Sequence, residues 1–321
     1  MSQTAPNREA AAKRLVTAAP VHGIDLSLLW GTLGKDERGV DFVRQVVLAV
    51  PGAGRTLMLF QSEPSVGGDM DGPTAALAER VGAINAACAH FGAGRSASES
   101  GVGIPEVRLA QGLPEPSETW AVAAFEGAGF QRVGNLAYLR RSLKGENPGR
   151  VVAPEVWPER VRVVSFAELP PGLRTDATLI AALESSYVET LDCPELCGLR
   201  ETADVLASHR ATGIWDPSMW WVVFDDSKAG EGQACGCMLL NRCPEQRAVE
   251  LVYVGLAPSV RGRGVASRLL SMGIASAARG PAADELTCAV DRRNQPALNL
   301  YGRAGFKPTA DRVAFVRPIE V

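Results

Sequence analysis

Arg261-Gly262-Arg263-Gly264 stands directly ahead of Val265, Ala266, Leu269, Leu270 and Ile274, an apolar set with helical spacing. A glycine-rich turn that opens a helix leaves backbone N–H groups without carbonyl partners, and these point with the helix dipole at whatever lies in front of them. Anions suit that position. The two guanidinium groups add charge and paired donors, so a diphosphate is the ligand such a turn suits best. A Walker loop would need Gly-Lys-Ser/Thr before the helix, and no lysine stands there. The dinucleotide fingerprint would need a third glycine where Ser267 stands and an acidic residue ending the next strand, whereas Asp284 and Glu285 precede it. A turn that caps the helix and binds nothing is the plain alternative.

The elements around this turn can be read from periodicity. Before it, WWVVFDD, ACGCMLLNR and VELVYVGLA are three apolar runs of strand length separated by polar turns, which predicts an antiparallel meander. The helix after it is expected to stop at Gly280-Pro281, followed by a strand LTCAV, a helix QPALNLYGRAG and a strand RVAFVRPI. Upstream, VRVVSF reads as a strand, while DATLIAALESSYVETL and TADVLASHR read as helices.

A chain of 321 residues is long enough for two domains of ~150 residues each. The hydrophilic, proline-bearing stretch 146–160 separates an expected N-terminal lobe, residues 1–145, from a C-terminal lobe, residues 161–321. The two lobes share an order of features. Ala128-Gly129-Phe130 can be laid over Ala304-Gly305-Phe306, Phe125 over Tyr301, and SEPSVGGDMDGPTAAL over LAPSVRGRGVASRLL, which indicates a duplication. In the first copy the glycine loop carries Asp69 and Asp71 in place of arginine, and carboxylates there would repel a diphosphate. Phe125 cannot give a proton. The stretch DERGVDFVRQVVLAV, residues 36–50, reads as helical, so the early strands of this copy are expected to be shortened or absent.

Other function classes find less support. A formal charge of -3 gives no basic face for nucleic acid. The polar N-terminus lacks the apolar core of a secretory signal and no run reaches the ~18 apolar residues of a membrane span, so a cytoplasmic protein is expected. Seven cysteines then imply reduced thiols. Cys193 and Cys197 lie four apart, and Cys235, Cys237 and Cys243 lie on or near one predicted strand, so a zinc site has to be weighed. Against a metal, no Cys-x-x-Cys pair occurs, and His22, His90 and His209 fall outside both groups. Cys235 and Cys237 are expected to share one strand face as small apolar residues.

The strand, turn and helix resemble the coenzyme A-binding element of the GNAT acetyltransferases, whose pattern Arg/Gln-x-x-Gly-x-Gly/Ala is met by Arg261 to Ala266. VDRRNQPALNLYGRAGF resembles the second signature of that family, an asparagine and a tyrosine-bearing helix ending in Gly-Phe, with Asn294, Ala297, Tyr301, Gly305 and Phe306 in those places. Without the family, Asn294 is a helix N-cap and Tyr301 a core tyrosine. The tandem arrangement with one intact copy is similar to mycothiol synthase-like acetyltransferases.

The resemblance implies an α/β fold of two tandem GNAT-like lobes, each a mixed, mostly antiparallel sheet flanked by helices, with the N-terminal lobe degenerate. It implies acetyl-CoA as cosubstrate and no metal. Arg261, Gly262, Arg263, Gly264, Val265, Ala266, Ser267 and Asn294 would serve the coenzyme, and Val254, Gly255 and Leu256 would present backbone groups to the pantetheine arm and the thioester. Glu250 matches a general base, needed because an alkyl ammonium has a pKa near ~10; an exposed strand-end glutamate in an ion pair is its alternative. Tyr301 matches a general acid toward the departing thiolate. The segment around LDCPELCGLR would shape the acceptor site, with Asp192 the residue assigned to a cationic amine among Glu189, Glu195 and Glu201. The expected acceptor is a primary amine of a small molecule. Acetylation of a protein amine, an acyl-CoA-binding module without transfer, and a nicotinamide-dependent oxidoreductase are the rival readings.

Overall fold

The computed structural model describes residues 5–21, 23–35, 38–63, 73–92, 106–145, 156–227, 232–279 and 283–320. The glycine loop with Asp69 and Asp71, residues 146–155 of the expected linker, His22 and Gly280-Pro281 lie outside the described residues. The chain forms two compact units, Met1–Arg132 with Phe315–Val321, and Val133–Ala314.

The first unit contains α1 (Ala5–Ala18), β1 (Leu29–Lys35), β2 (Asp41–Gly52), β3 (Thr56–Gln61), α2 (Pro73–Gly92), β4 (Leu109–Gly112) and α3 (Thr119–Gly127). β1, β2 and β3 form an antiparallel meander, and β3 pairs in parallel with β4 only over Thr56–Met58 and Leu109–Gln111. The expectation of a helix over 36–50 is overturned: most of that stretch is β2, so the early strands of this copy are present. Its β-branched valines at 43, 46, 47 and 50 favour extended backbone over the weaker apolar rhythm that suggested a helix. Gln45 is held on the α2 side by bonds from Nε2 to the Ala76 carbonyl at 3.0 Å and Glu79 at 2.8 Å. On α3, Phe125 stacks on Phe315 at 5.5 Å and meets Phe130 edge-on at 5.1 Å. A Cβ on Gly112 would fall 2.1 Å from that ring, so the glycine is what lets Phe125 lie there.

The second unit contains β5 (Gln131–Ser142) from Val133 onward, β6 (Val161–Ser165), α4 (Asp176–Tyr187), α5 (Thr202–Ala211), β7 (Trp220–Asp225), β8 (Gln233–Cys243), β9 (Ala248–Leu256), α6 (Val265–Arg279), β10 (Glu285–Asp291), α7 (Gln295–Arg303) and most of β11 (Lys307–Pro318). The strand order is β11-β5-β10-β9-β8-β7-β6. β7, β8 and β9 form the antiparallel meander expected from the three apolar runs. β5, which ends the first half of the sequence, pairs antiparallel with β10, while residues 315–318 at the end of the second half pair with β4.

Side chains alternate along the meander between two cores. Trp221, Val223, Met238, Leu240, Val249 and Leu251 pack with α6 and α7, and Trp220, Val222, Phe224 and Leu239 pack with α4 and α5. Two bulges break the alternation. One skips Cys235, which joins the α6 core while Cys237 joins the α4 core, so the two thiols do not share a face as expected. The other skips Val252 and turns Tyr253 toward the α4 core.

On α5, the His209 ring lies 5.6 Å from the Tyr253 ring, and its Nε2 is buried without a hydrogen-bond partner among the described residues. Burial, reinforced by the Arg200 charge, pulls its pKa from 6.5 down to about 4. The folded state holds His209 neutral, so stability is full above pH 6.5 and is lost as pH falls from there toward 4, by at most ~3 kcal/mol. Urea unfolding between pH 4 and 7.5 is expected to show this limb in the wild type, and His209→Gln should flatten it.

Candidate active site

The parallel pairing of β9 and β10 covers only Ala248–Glu250 and Glu285–Thr287. Beyond that point the strands part. The edge of β9 from Leu251 onward therefore has no strand beside it on the β10 side, and a cleft of about 500 Å³ opens into the fork. Val254, Gly255 and Leu256 line it from β9, Val290 from β10, and Asn294 and Tyr301 from α7.

At the far end of β9 the chain turns through Gly262 (φ +72°) and Gly264 (φ +79°) into α6. Both glycines are needed for their left-handed backbone, because a Cβ on either would meet nothing within 4 Å. The first bond into the helix runs from the Arg268 N–H to the Gly264 carbonyl, leaving the amides of Val265, Ala266 and Ser267 at an open N-terminus. Gly262, Gly264, Val265, Ala266 and Ser267 line the cleft beside the β9 edge. Arg261 also lines it, but its guanidinium is turned to the protein. It donates to the carbonyls of Leu256 (2.8 Å), Ser186 (3.1 Å), Val188 (2.6 Å) and Glu189 (3.2 Å), fastening the C-terminal end of α4 to the end of β9. Arg263 donates to the Glu159 carbonyl at 2.5 Å and is absent from the cleft lining.

Tyr301 is 5% exposed, with its ring 5.4 Å from Phe306. Burial, with Cys288, Asp192 and Tyr253 nearby, holds its pKa well above the ordinary phenol value, so the hydroxyl keeps its proton. Asn294 is both lining and cap, its Oδ1 accepting the Ala297 N–H at 3.2 Å. Asp192 lines the cleft, and its Oδ1 accepts the Asp291 N–H at 2.8 Å. The protein around its carboxyl, and the nearby Asp291 charge, raise its pKa above the usual carboxylate range. Glu250 sits on the last paired rung of the fork, opposite Thr287, half-buried and outside the lining. Burial raises its pKa too.

The fork also collects residues that the sequence reading did not assign. Tyr253 lines the cleft, with its hydroxyl 2.6 Å from Ser186 Oγ, which donates to the Leu183 carbonyl at 2.6 Å. Gly255 leaves the space for this, since a Cβ there would fall 2.4 Å from the Tyr253 hydroxyl. Tyr253 faces this way because of the bulge at Val252, which no sequence period announces. No group of three or more His, Cys, Asp or Glu able to hold a metal ion occurs among the described residues.

Residues 186–306, which include both walls of the fork, match the acetyltransferase (GNAT) family. That stretch is similar to a GNAT acetyltransferase domain. The mycothiol acetyltransferase of Mycobacterium leprae is 32% identical over 184 residues, a match covering 56% of this chain and 55% of that protein. This chain thus spans about half the length of the curated relatives it matches. A GCN5-related N-acetyltransferase from Sphaerobacter thermophilus superposes with a TM-score of 0.57 at 19% identity, covering 97% of this chain and 86% of that one. A tandem GNAT protein from the clavulanic acid biosynthesis pathway gives 0.50 at 14% identity, covering 87% and 80%. Both likenesses are of fold. No described helix is long and apolar enough to cross a membrane.

The bonds of Arg261 define a test within the stretch that matches the family. Arg261→Ala leaves four carbonyls short of a charged donor and is expected to cost about 2–4 kcal/mol, whereas Arg263→Ala, which loses one exposed contact, should cost under ~1 kcal/mol. Chemical denaturation of the two variants side by side measures the difference.

Proposed function

We propose that this chain is an acetyl-CoA-dependent N-acetyltransferase acting on a primary amine of a small molecule by direct attack. The observation that carries the reading is the fork itself: an unpaired strand edge runs into an open helix N-terminus within one cleft. A long ligand with an amide-bearing arm and a diphosphate matches that sequence of groups. The edge at Val254, Gly255 and Leu256 would hold the arm, and the amides from Gly262 to Ser267 the diphosphate. The empty space ahead of Gly262 and Gly264 fits this use.

Acetyl-CoA supplies the thioester when bound. The residues of the chain would handle two protons. Tyr301, kept protonated by burial, donates from its hydroxyl to the departing thiolate, whose conjugate thiol has a pKa of about 8.5. Glu250 accepts the proton of the amine, with ordered water bridging the distance from its rung to the cleft. A backbone N–H of the β9 edge stabilises the developing oxyanion without reorganisation. Arg261 serves by holding the cleft wall. Asp192, on the wall from Glu189 to Asp192, faces the amine. That relatives bear the name mycothiol acetyltransferase supports a small amino-thiol or amino-sugar conjugate over a protein amine. In this reading residues 161–321 carry the transfer and residues 1–145 are a worn copy, in which Phe125 takes the place of Tyr301 and closes over Gly112.

Calorimetric titration with acetyl-CoA should give one site per chain. Ser267→Glu, an exposed change that sets a carboxylate at the helix N-terminus, is expected to weaken binding at least ~10-fold. Absence of binding by the wild type overturns the reading, and two sites per chain would return a ligand to the first copy. For an amine that the wild type acetylates, Tyr301→Phe should lower kcat by about 10²-fold or more with acetyl-CoA affinity within about 3-fold.

A further inference from the structure

Asp291, the last residue of β10, has a fully buried side chain and is joined by two hydrogen bonds to the segment that follows α4. Its N–H donates to Asp192 Oδ1 at 2.8 Å, and its Oδ2 accepts the Cys193 N–H at 3.1 Å. The pairing is reciprocal, each partner giving one donor and one acceptor. Cys193 adopts a left-handed backbone (φ 45°), and its thiol is buried beside Gly134 of β5. A Cβ on Gly134 would stand 2.9 Å from Asp291 Oδ2 and 3.0 Å from Cys193 Sγ, so no larger residue fits at this junction without displacement.

Two residues further on, Arg293 secures the same junction. Its Nη2 lies 2.6 Å from Asp291 Oδ2 and 2.7 Å from the Val133 carbonyl. Its Nη1 and Nη2 grip Glu195 at 2.6 and 2.8 Å, a planar fork that an ammonium cannot reproduce. Desolvation disfavours a charged Asp291, but the Arg293 bonds and two backbone N–H groups outweigh it and hold the carboxylate ionised. The segment is thus tied to the end of β10 at Asp192, Cys193 and Glu195. Residues Glu189 to Asp192 of that segment form one wall of the cleft, and Asn294, adjacent to Arg293, starts the helix that carries Tyr301.

We infer that Arg293 is a positioning residue for the amine acceptor: through Asp291 and Glu195 it sets the cleft wall 189–192 at a fixed distance from the Tyr301 helix. The inference rests on the acetyl-transfer reading for the identity of the ligand, and on the bonds above for the latch. Acetyl-CoA, on the strand edge and the α6 turn, does not depend on it.

Hydrogen exchange decides the latch without any substrate. In Arg293→Ala, amides of segment 188–198 should exchange at least 10-fold faster, while β7, β8 and β9 keep their protection. Glu195→Gln, which leaves the buried Asp291–Arg293 pair intact, should loosen the segment by a smaller factor, and Arg293→Lys should fall between Ala and wild type. Acetyl-CoA affinity, read by calorimetry, should stay within 3-fold in all three. With glucosamine and cysteamine as amine probes, KM for a probe that the wild type acetylates should rise at least 10-fold in Arg293→Ala with kcat within 3-fold. Unchanged exchange in Glu195→Gln and Arg293→Lys, or a loosened segment with KM for the amine unchanged, would overturn the inference. A wild-type chain that does not bind acetyl-CoA would count against acetyl transfer and not against the latch, which the exchange rates settle by themselves.

Discussion

The second unit is organised by the point at which one pair of parallel strands stops pairing. A parallel ladder that continued beyond Glu250 and Thr287 would close the sheet, and no cleft could reach its middle. Parting the strands leaves main-chain donors and acceptors that must find other partners, a costly state for buried backbone. That cost is tolerable where a ligand with amide groups can take the place of the missing strand. The bulge at Val252 lies just past the last paired rung and turns the following side chains, so the strand leaves the ladder and changes face in the same few residues.

Around this fork, the helices act as spacers whose ends matter more than their lengths. α6 begins where β9 finishes, and Arg261 fills the corner by collecting carbonyls from the end of α4 and from Leu256. A cation at a helix C-terminus is electrostatically well placed, and here it reaches a carbonyl 75 residues away in sequence. Asn241 plays a comparable part deeper in the unit. Its side chain is wholly buried, accepts from the Trp220 indole at 2.8 Å and donates to the carbonyls of His209 and Thr212, both at 2.6 Å, tying β8 to the end of α5.

Much of this was readable in the sequence, and the exceptions have physical causes. Gly262 and Gly264 could be recognised because left-handed backbone at a helix entrance selects glycine, and Asn294 and Tyr301 because a capped helix fixes their spacing. The direction of the Arg261 side chain could not be read, since a long cation beside a turn serves a ligand or a set of carbonyls equally well in one dimension. The strand at 41–52 reads as a helix in one dimension because its valines sit among Arg44, Gln45 and Leu48 at spacings compatible with both periods. A strict period of two puts Cys235 and Cys237 on one face, and that period holds only until a bulge intervenes. The Asp291–Arg293 latch depends on partners almost 100 residues away, and local pattern carries no trace of it.

The pairing of β5 with β10 has a consequence for how such a chain can change over generations. The strand that completes the second unit is encoded in the first half of the sequence, and the strand end that pairs with β4 is encoded at the far terminus. With strands encoded in this way, cutting the chain between its halves would bare a hydrogen-bonding edge on β10 and on β4. The first half of the sequence is then kept for the strand it supplies to the second unit, whatever else it does.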